Sequence, residues 1–287
     1  MNIQYKRTCY FLFGLLGLLI IMAIFAPFIT PFDPYKVNLT HKLFPIFSSS
    51  ALENGYYLGT DHLGRDILSR LIYGTRVSLV TVIIIVSAII CISLLVGTIA
   101  GYKGGIFDAI LMRFSDFFLT FPTFILGLFF IGVLGVGIIN VILTIIITHW
   151  AWYARMVRSM VLQIKNQDYI LASKSLGSSD FQIISRHILP SVFSQISILA
   201  SLDFGHMLLH VAGLSFLGLG IQAPTAEWGV MINDALPYIY SNPALMILPG
   251  FCIFFVVAIF NSLGELLRDY VQFIDNPNYE QSNFSEK

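Results

Sequence analysis

The chain has 287 residues, 56% of them hydrophobic and 11% charged, with 16 basic against 16 acidic side chains and a mean hydropathy of +0.80. A soluble domain carries about 25% charge, and neither a single core nor a wetted surface accommodates this much apolar area. Disorder and nucleic-acid binding are excluded by the same numbers, and a disulfide-built mini-domain by length and by having only Cys9, Cys91 and Cys252.

What remains is an all-α polytopic membrane protein. Six apolar stretches are long enough to cross a bilayer: 10–29, 77–100, 114–133, 138–153, 192–219 and 244–266. The first follows Lys6 and Arg7 as a signal peptide would. It is too long for that, and no small-residue cleavage site follows, so a retained helix is expected. Gly97 and Gly101 near the end of the second stretch are spaced for a close helix contact. The third and fourth are joined only by Gly135-Val136-Gly137, which predicts a tight helical hairpin. The fourth is short, and is expected to continue through Trp150 and Trp152. These two with Tyr153 read as an aromatic belt, with Arg155 and Arg158 just outside it; His149 beside them stays open. The cysteines lie in apolar runs and read as small buried hydrophobes.

Six spans put both termini on one side. If that side is the cytoplasm, eleven of the 16 basic residues lie inside and five outside, as the positive-inside rule favours. Three regions result: 1–76, a span and a large outer loop; 77–270, a five-span core containing an inner loop at 156–191; and 271–287, a polar tail. No internal repeat is visible.

Within the inner loop, Asp168 suits a first helical turn, Gly177 a helix end, and Ser179 or Asp180 a second cap. Tyr169, Ala172 and Leu176 share one face, and Phe181, Ile184 and Ile188 another. Such a pair of helices fits a connector resting on lipid headgroups as well as a docking surface. In the fifth span Asp203, His206 and His210 recur at i, i+3 and i+7, on one face. A carboxylate in a membrane helix is costly and faces the bundle interior or water. Polar contacts between helices, the lining of a path and metal ligation all suit these three.

The residues carry a resemblance. A glycine followed after about ten residues by H-I-L-P, here Gly177 and His187 to Pro190, resembles the conserved cytoplasmic loop of bacterial ABC-importer permeases. The family's Glu-Ala-Ala triplet is replaced by Leu171-Ala172-Ser173. The run Y-L-G-T-D-H-L-G-R-D at 57–66, continuing to Leu79, resembles the signature of the C-type permeases for dipeptides, oligopeptides and nickel. The elements H-W-A-W-Y from His149 and D-F-G-H-M-x-x-H from Asp203 are similar to the nickel branch. The resemblance extends from the first span to about Tyr270. It implies a type I ABC-importer permease fold, multi-pass in the bacterial cytoplasmic membrane with both termini cytoplasmic. Nickel or a related divalent metal, free or chelated, would pass by ATP-driven alternating access; dipeptides, oligopeptides or an opine-like metallophore are the alternative cargo. A second permease subunit, two ATP-binding subunits and an extracytoplasmic substrate-binding protein are the implied partners, besides membrane lipid. Asp168, Ala172, Gly177, His187, Leu189 and Pro190 would couple to the ATPase. Asp203, His206, His210 and His149 would line the path, and Arg65, Asp66 and Glu227 would meet the binding protein.

No phosphate-binding G-x-x-x-x-G-K-[ST] loop, H-E-x-x-H helix or nucleophile elbow occurs. The chain is therefore expected to hold no cofactor or firmly assigned metal of its own, and to be no enzyme. A gradient-driven metal carrier would need several intramembrane acids, and Asp203 is the only deeply placed one. An intramembrane enzyme would need a catalytic pair. Co-purification with ATPase subunits separates these readings.

Overall fold

The computed structural model describes residues 3–275; the polar tail beyond them, with Lys287, lies outside the described residues. The described elements are helical, with one isolated bridge between Thr60 and Asp66. They are α1 (Ile3–Ile29), α2 (Ser49–Glu53), α3 (Ile67–Lys103), α4 (Gly105–Thr120), α5 (Thr123–Leu134), α6 (Ile138–Lys165), α7 (Asp168–Ser175), α8 (Asp180–Ile183), α9 (Leu189–Phe216), α10 (Trp228–Ala235) and α11 (Ala244–Asp275).

Among the described residues five continuous helices are long and apolar enough to span a membrane, and α4 with α5 makes a sixth only as a pair bent by 91°. The third span is thus not the straight helix that its apolar stretch suggests. Pro122 explains the break: it offers no N–H, and its ring forces Phe121 into an extended conformation (ψ 141°). The Gly135–Gly137 hairpin forms as expected, with both glycines at positive φ. Two helices outrun their apolar windows. Helix α3 starts at Ile67 rather than near residue 77, and α6 continues to Lys165. Apolar stretches mark what lipid requires, whereas these extensions are held by packing against neighbours.

The chain forms two compact units, one of residues 1–80 and 201–287, the other of 81–200. In the first, α11 packs against α1 and α10. Helix α10 lies close on α9: a Cβ at Gly229 would come within 2.4 Å of the Ala212 carbonyl oxygen. Phe204 of α9 stacks on Phe260 of α11, centroids 3.8 Å apart.

In the second unit α6 is central, packing against α4 and α5. The Gly97/Gly101 spacing does what it predicts. A Cβ on Gly97 would meet the Ala154 carbonyl oxygen at 2.6 Å, and one on Gly101 the Arg158 carbonyl oxygen at 2.9 Å. Ser93 closes the same crossing by donating to the Trp150 carbonyl at 3.0 Å. Trp150 and Tyr153 are buried here, against the expectation of a belt, and only Trp152 is exposed. Phe114 and Phe118 of α4 cover Trp150. The cysteine expectation also fails in part: Cys91 is exposed, Cys9 and Cys252 half-buried.

Candidate transport face and coupling surface

The Asp168–Pro190 segment belongs to the second unit. Asp168 opens α7, where a carboxylate complements the helix N-terminus. Gly177, at φ +88°, ends it: the Ser178 N–H donates to the Ser173 carbonyl (3.2 Å) and the Gly177 N–H to that of Lys174 (3.0 Å). Ser179 then caps α8 in a reciprocal box with Gln182. The second helix is not separate from span five. A π-helical turn, Ile184–Ile188, carries α8 directly into α9, so Pro190 sits within a continuous helix. The widened turn accommodates the N–H that proline lacks.

Ile170, Ile183 and Ile188 are buried and fasten the segment. The Tyr102 hydroxyl donates to Asp180 at 2.6 Å, and the Lys165 ammonium donates to the Tyr102 carbonyl. The face of Tyr169, Ala172 and Leu176 points outward whole, whereas the second predicted face splits, Phe181 outward and Ile188 inward. Leu176 is 88% exposed and Phe181 79%. Tyr169 also meets the His187 ring edge-on at 6.0 Å. Leu189 is half-buried and Pro190 exposed. The result is a rigid, capped knob with apolar side chains turned out.

Asp203, His206 and His210 belong to the first unit. Asp203 Oδ1 lies 3.0 Å from His206 Nδ1. The His206 side chain is 68% exposed and that of Asp203 24%. One turn on, His210 is half-buried. Met207, next to His206 in sequence, is buried. His149 belongs to the other unit, its Nδ1 engaged with the Ile145 carbonyl oxygen at 3.0 Å. Among the described residues no three of His, Cys, Asp and Glu come together to hold a metal ion.

The residues expected to meet a binding protein are interior instead. Arg65, Asp66 and Glu227 are all buried, which corrects that reading. Asp66 caps α3, its Oδ2 accepting from the N–H (2.7 Å) and hydroxyl (2.6 Å) of Ser69. Arg65 bridges two acids, Nε to Asp61 at 2.6 Å and Nη2 to Asp234 at 3.0 Å. Arg70 stands behind, reaching the carbonyl oxygens of Pro34 and Pro224, both at 3.3 Å. The glycines of this motif allow the close approach: a Cβ on Gly64 would lie 1.8 Å from the Asn38 carbonyl oxygen. Glu227 caps α10 through the Val230 N–H (2.9 Å) and accepts from Ser78 (3.4 Å). Burial pushes the carboxyls of Asp66 and Glu227 above their ordinary range. Trp228 completes this floor, its indole N–H donating to the Leu71 carbonyl (3.2 Å) against Gly74. The charged side chains of the motif ahead of span two therefore scaffold the loop before α11.

Sequence reasoning missed the roles of Asp61, Arg70 and Asp234. For Asp61 and Arg70 the signal was the density of charge in one short motif of a charge-poor chain. It also missed the pairing of α4 with α6, where Arg158 binds Asp108 and Arg155 binds Asp116. Together with Met112 and Arg113 these line an open cavity of about 420 Å³.

Comparison with known proteins agrees with this geometry. The family described as the binding-protein-dependent transport system inner membrane component matches residues 93–272. The N-terminal TM domain of oligopeptide transport permease C matches 9–45. The chain is 46% identical to the nickel transport system permease protein NikC of Escherichia coli K12, over 90% of this chain and 91% of that one. It is 38% identical to the metal-staphylopine import system permease protein CntC of Staphylococcus aureus (89% and 86%). It is also 38% identical to the dipeptide transport system permease protein DppC of Bacillus subtilis (88% and 77%). A chain of the MetNI methionine ABC transporter, solved in inward-facing conformations, superposes with a TM-score of 0.56 at 20% identity, over 69% of this chain and 95% of that one. The fold is that of type I ABC-importer permeases.

Proposed function

Because the chain belongs to the family of inner membrane components of binding-protein-dependent transport systems, we propose that it is the permease subunit through which an ABC importer admits nickel or a related divalent metal, as the free ion or a small chelate. It is a permease and not an enzyme; ATP is hydrolysed in separate subunits. The metal reading rests on one observation, the 46% identity to a nickel permease across nine-tenths of both chains. The relation to CntC and DppC supports a second reading, in which a metallophore or a dipeptide is the cargo.

Both termini and the α7–α8 knob are cytoplasmic, as the excess of basic residues on that side favours. The exposed apolar side chains of Leu176 and Phe181 are presented to an ATP-binding subunit. This chain pairs with a second permease subunit, two ATP-binding subunits power the pair, and a substrate-binding protein delivers cargo from outside. The chain itself binds no nucleotide. Closure of the ATPases moves the knob. The continuous helix from Asp180 to Phe216 carries that motion into the span holding Asp203 and His206. A carboxylate and an exposed imidazole on a bilayer-crossing helix are too costly to face acyl chains. That face, with His210, therefore lines the path, and His149 of α6 is assigned to the path separately, on the family resemblance.

The test is uptake of labelled Ni²⁺ in cells carrying the whole transporter, with and without this chain, under excess competing dipeptide. Uptake that needs the chain and ignores the peptide is the expected result. Ni²⁺ uptake independent of the chain, with peptide uptake dependent on it, refutes the metal reading in favour of the second.

A further inference from the structure

The geometry of one side chain on α9 goes further than a polar lining. Asp203 Oδ1 sits 3.0 Å from His206 Nδ1, one turn earlier on the same helix. A carboxylate only accepts, so in the neutral ring Nδ1 carries the proton and Nε2 keeps its lone pair. The ring is thereby fixed in tautomer and orientation, with Nε2 on a side chain that is 68% exposed. A carboxylate behind a histidine that offers its other nitrogen is the arrangement found behind metal-ligating imidazoles, where it orients the ring and raises its basicity. Polar contact between helices of this chain would need neither the outward nitrogen nor the exposure. No three ligating side chains gather around His206 among the described residues. A closed, tight site is thus not built, as suits a cargo that must leave.

We propose that His206 Nε2 is a transient inner-sphere ligand for the transported metal, held in register by Asp203, which acts as a positioning residue. This rests on the transport reading above. The remaining coordination positions of the ion stay with water or with the small chelator it travels with. The ligand chemistry is that of borderline first-row cations such as Ni²⁺ and Co²⁺, for which imidazole is well suited, and not of Mg²⁺ or Ca²⁺, which take oxygen.

The test uses the assembled, tag-free importer in lipid nanodiscs, with Co²⁺ as an optical probe of imidazole ligation and labelled Ni²⁺ uptake measured in parallel. His206→Ala is expected to abolish the Co²⁺ difference spectrum that the wild type gives, and His206→Gln to do the same. Because the side chain is exposed, neither disturbs packing, and assembly with the partner subunits verifies this. Asp203→Asn leaves the ligand in place but loosens it, and weakens Co²⁺ binding by about tenfold. Mg²⁺ competes with Co²⁺ in none of these proteins. A wild-type spectrum retained by both His206 variants overturns the proposal, whatever transport does. Wild-type failure to import Ni²⁺ would instead defeat the transport reading, leaving the spectrum to decide the ligand.

Discussion

The interior ion network around Arg65 makes an asymmetric prediction about two aspartates. Arg65 is 1% exposed and binds both Asp61 and Asp234. Asp61 is the more deeply committed. Its Oδ1 accepts the backbone N–H of Leu63 and of Arg65, each at 2.9 Å, while its Oδ2 faces Arg65 Nε at 2.6 Å and Arg70 Nε at 3.6 Å. Asp61→Asn can keep the backbone bonds through its carbonyl oxygen. It then turns its amide N–H toward two guanidinium donors in a buried site. Removing one partner of a buried ion pair costs about 3–5 kcal/mol, and that is the range expected here.

Asp234 is wetter, with a side chain 20% exposed, and lies 3.8 Å from Arg70. Its loss leaves Arg65 paired to Asp61, and water takes over part of its role. A hydrogen bond to a charged group is worth about 1.5–3 kcal/mol, so about 2 kcal/mol is expected for Asp234→Asn. The double variant leaves two buried guanidiniums with neither acid and exceeds the sum of the singles, because the four groups act as one unit. The check is the thermal unfolding midpoint of the purified complex in detergent, with the amount of chain in membranes as a second measure. Equal loss for the two single variants, or both within about 0.5 kcal/mol of wild type, would refute the reasoning.

Three other predictions follow from particular contacts. Gly97→Ala drives a methyl to within 2.6 Å of the Ala154 carbonyl oxygen and costs about 1–3 kcal/mol. Gly132→Ala, with nothing within 4 Å of its Cβ, is neutral or stabilises by up to about 1 kcal/mol; thermal midpoints of both test the contrast. Burial raises the Glu227 carboxyl above its ordinary value of 4.5, so the folded chain keeps its proton where the unfolded chain has lost it. Stability therefore falls as pH rises from about 4.5 through the raised value, and Glu227→Gln flattens that slope in unfolding measured against pH. Leu176→Asp alters a side chain that is 88% exposed. It leaves the fold within about 0.5 kcal/mol but abolishes transport-coupled ATP hydrolysis, measured on the assembled importer.

The sequence is a good guide where one local rule acts alone. The Gly135–Gly137 hairpin, the helix end at Gly177, the cap at Ser179 and the Gly97/Gly101 crossing are each set by a few adjacent residues, and each is found. It misleads where a residue's partner is remote. Arg65 and Asp66 read as a contact surface because the resemblance places them in an outer loop. Arg65 is interior because Asp234, 169 positions away, closes its network, and Asp66 because it caps α3 through Ser69. Trp150 and Tyr153 read as a belt because aromatics near basic residues at a span end usually are one. They are core because α4 packs along α6, where Phe114 and Phe118 cover Trp150.

The same contrast separates scaffold from working surface in this chain. Interior charges are anchored within the fold: Asp61, Asp66, Arg65 and Glu227 each find at least one partner in their own unit, so they fix loops and helix starts. Other groups are left outward where exposure costs something, among them Leu176 and Phe181 on the capped knob and His206 on a helix long and apolar enough to cross the bilayer. Folding alone gives no reason to place an apolar side chain in water or an imidazole toward lipid. Both are explained if another component covers the first and an aqueous, metal-bearing path runs past the second. A single helical rod from Asp180 to Phe216 connects the two, and its only irregularity is the π-helical turn at Ile184–Ile188. A rod of that kind passes displacement along its length with little loss. On the transport reading proposed above, the turn that joins it to the knob is where force from ATP hydrolysis enters that span.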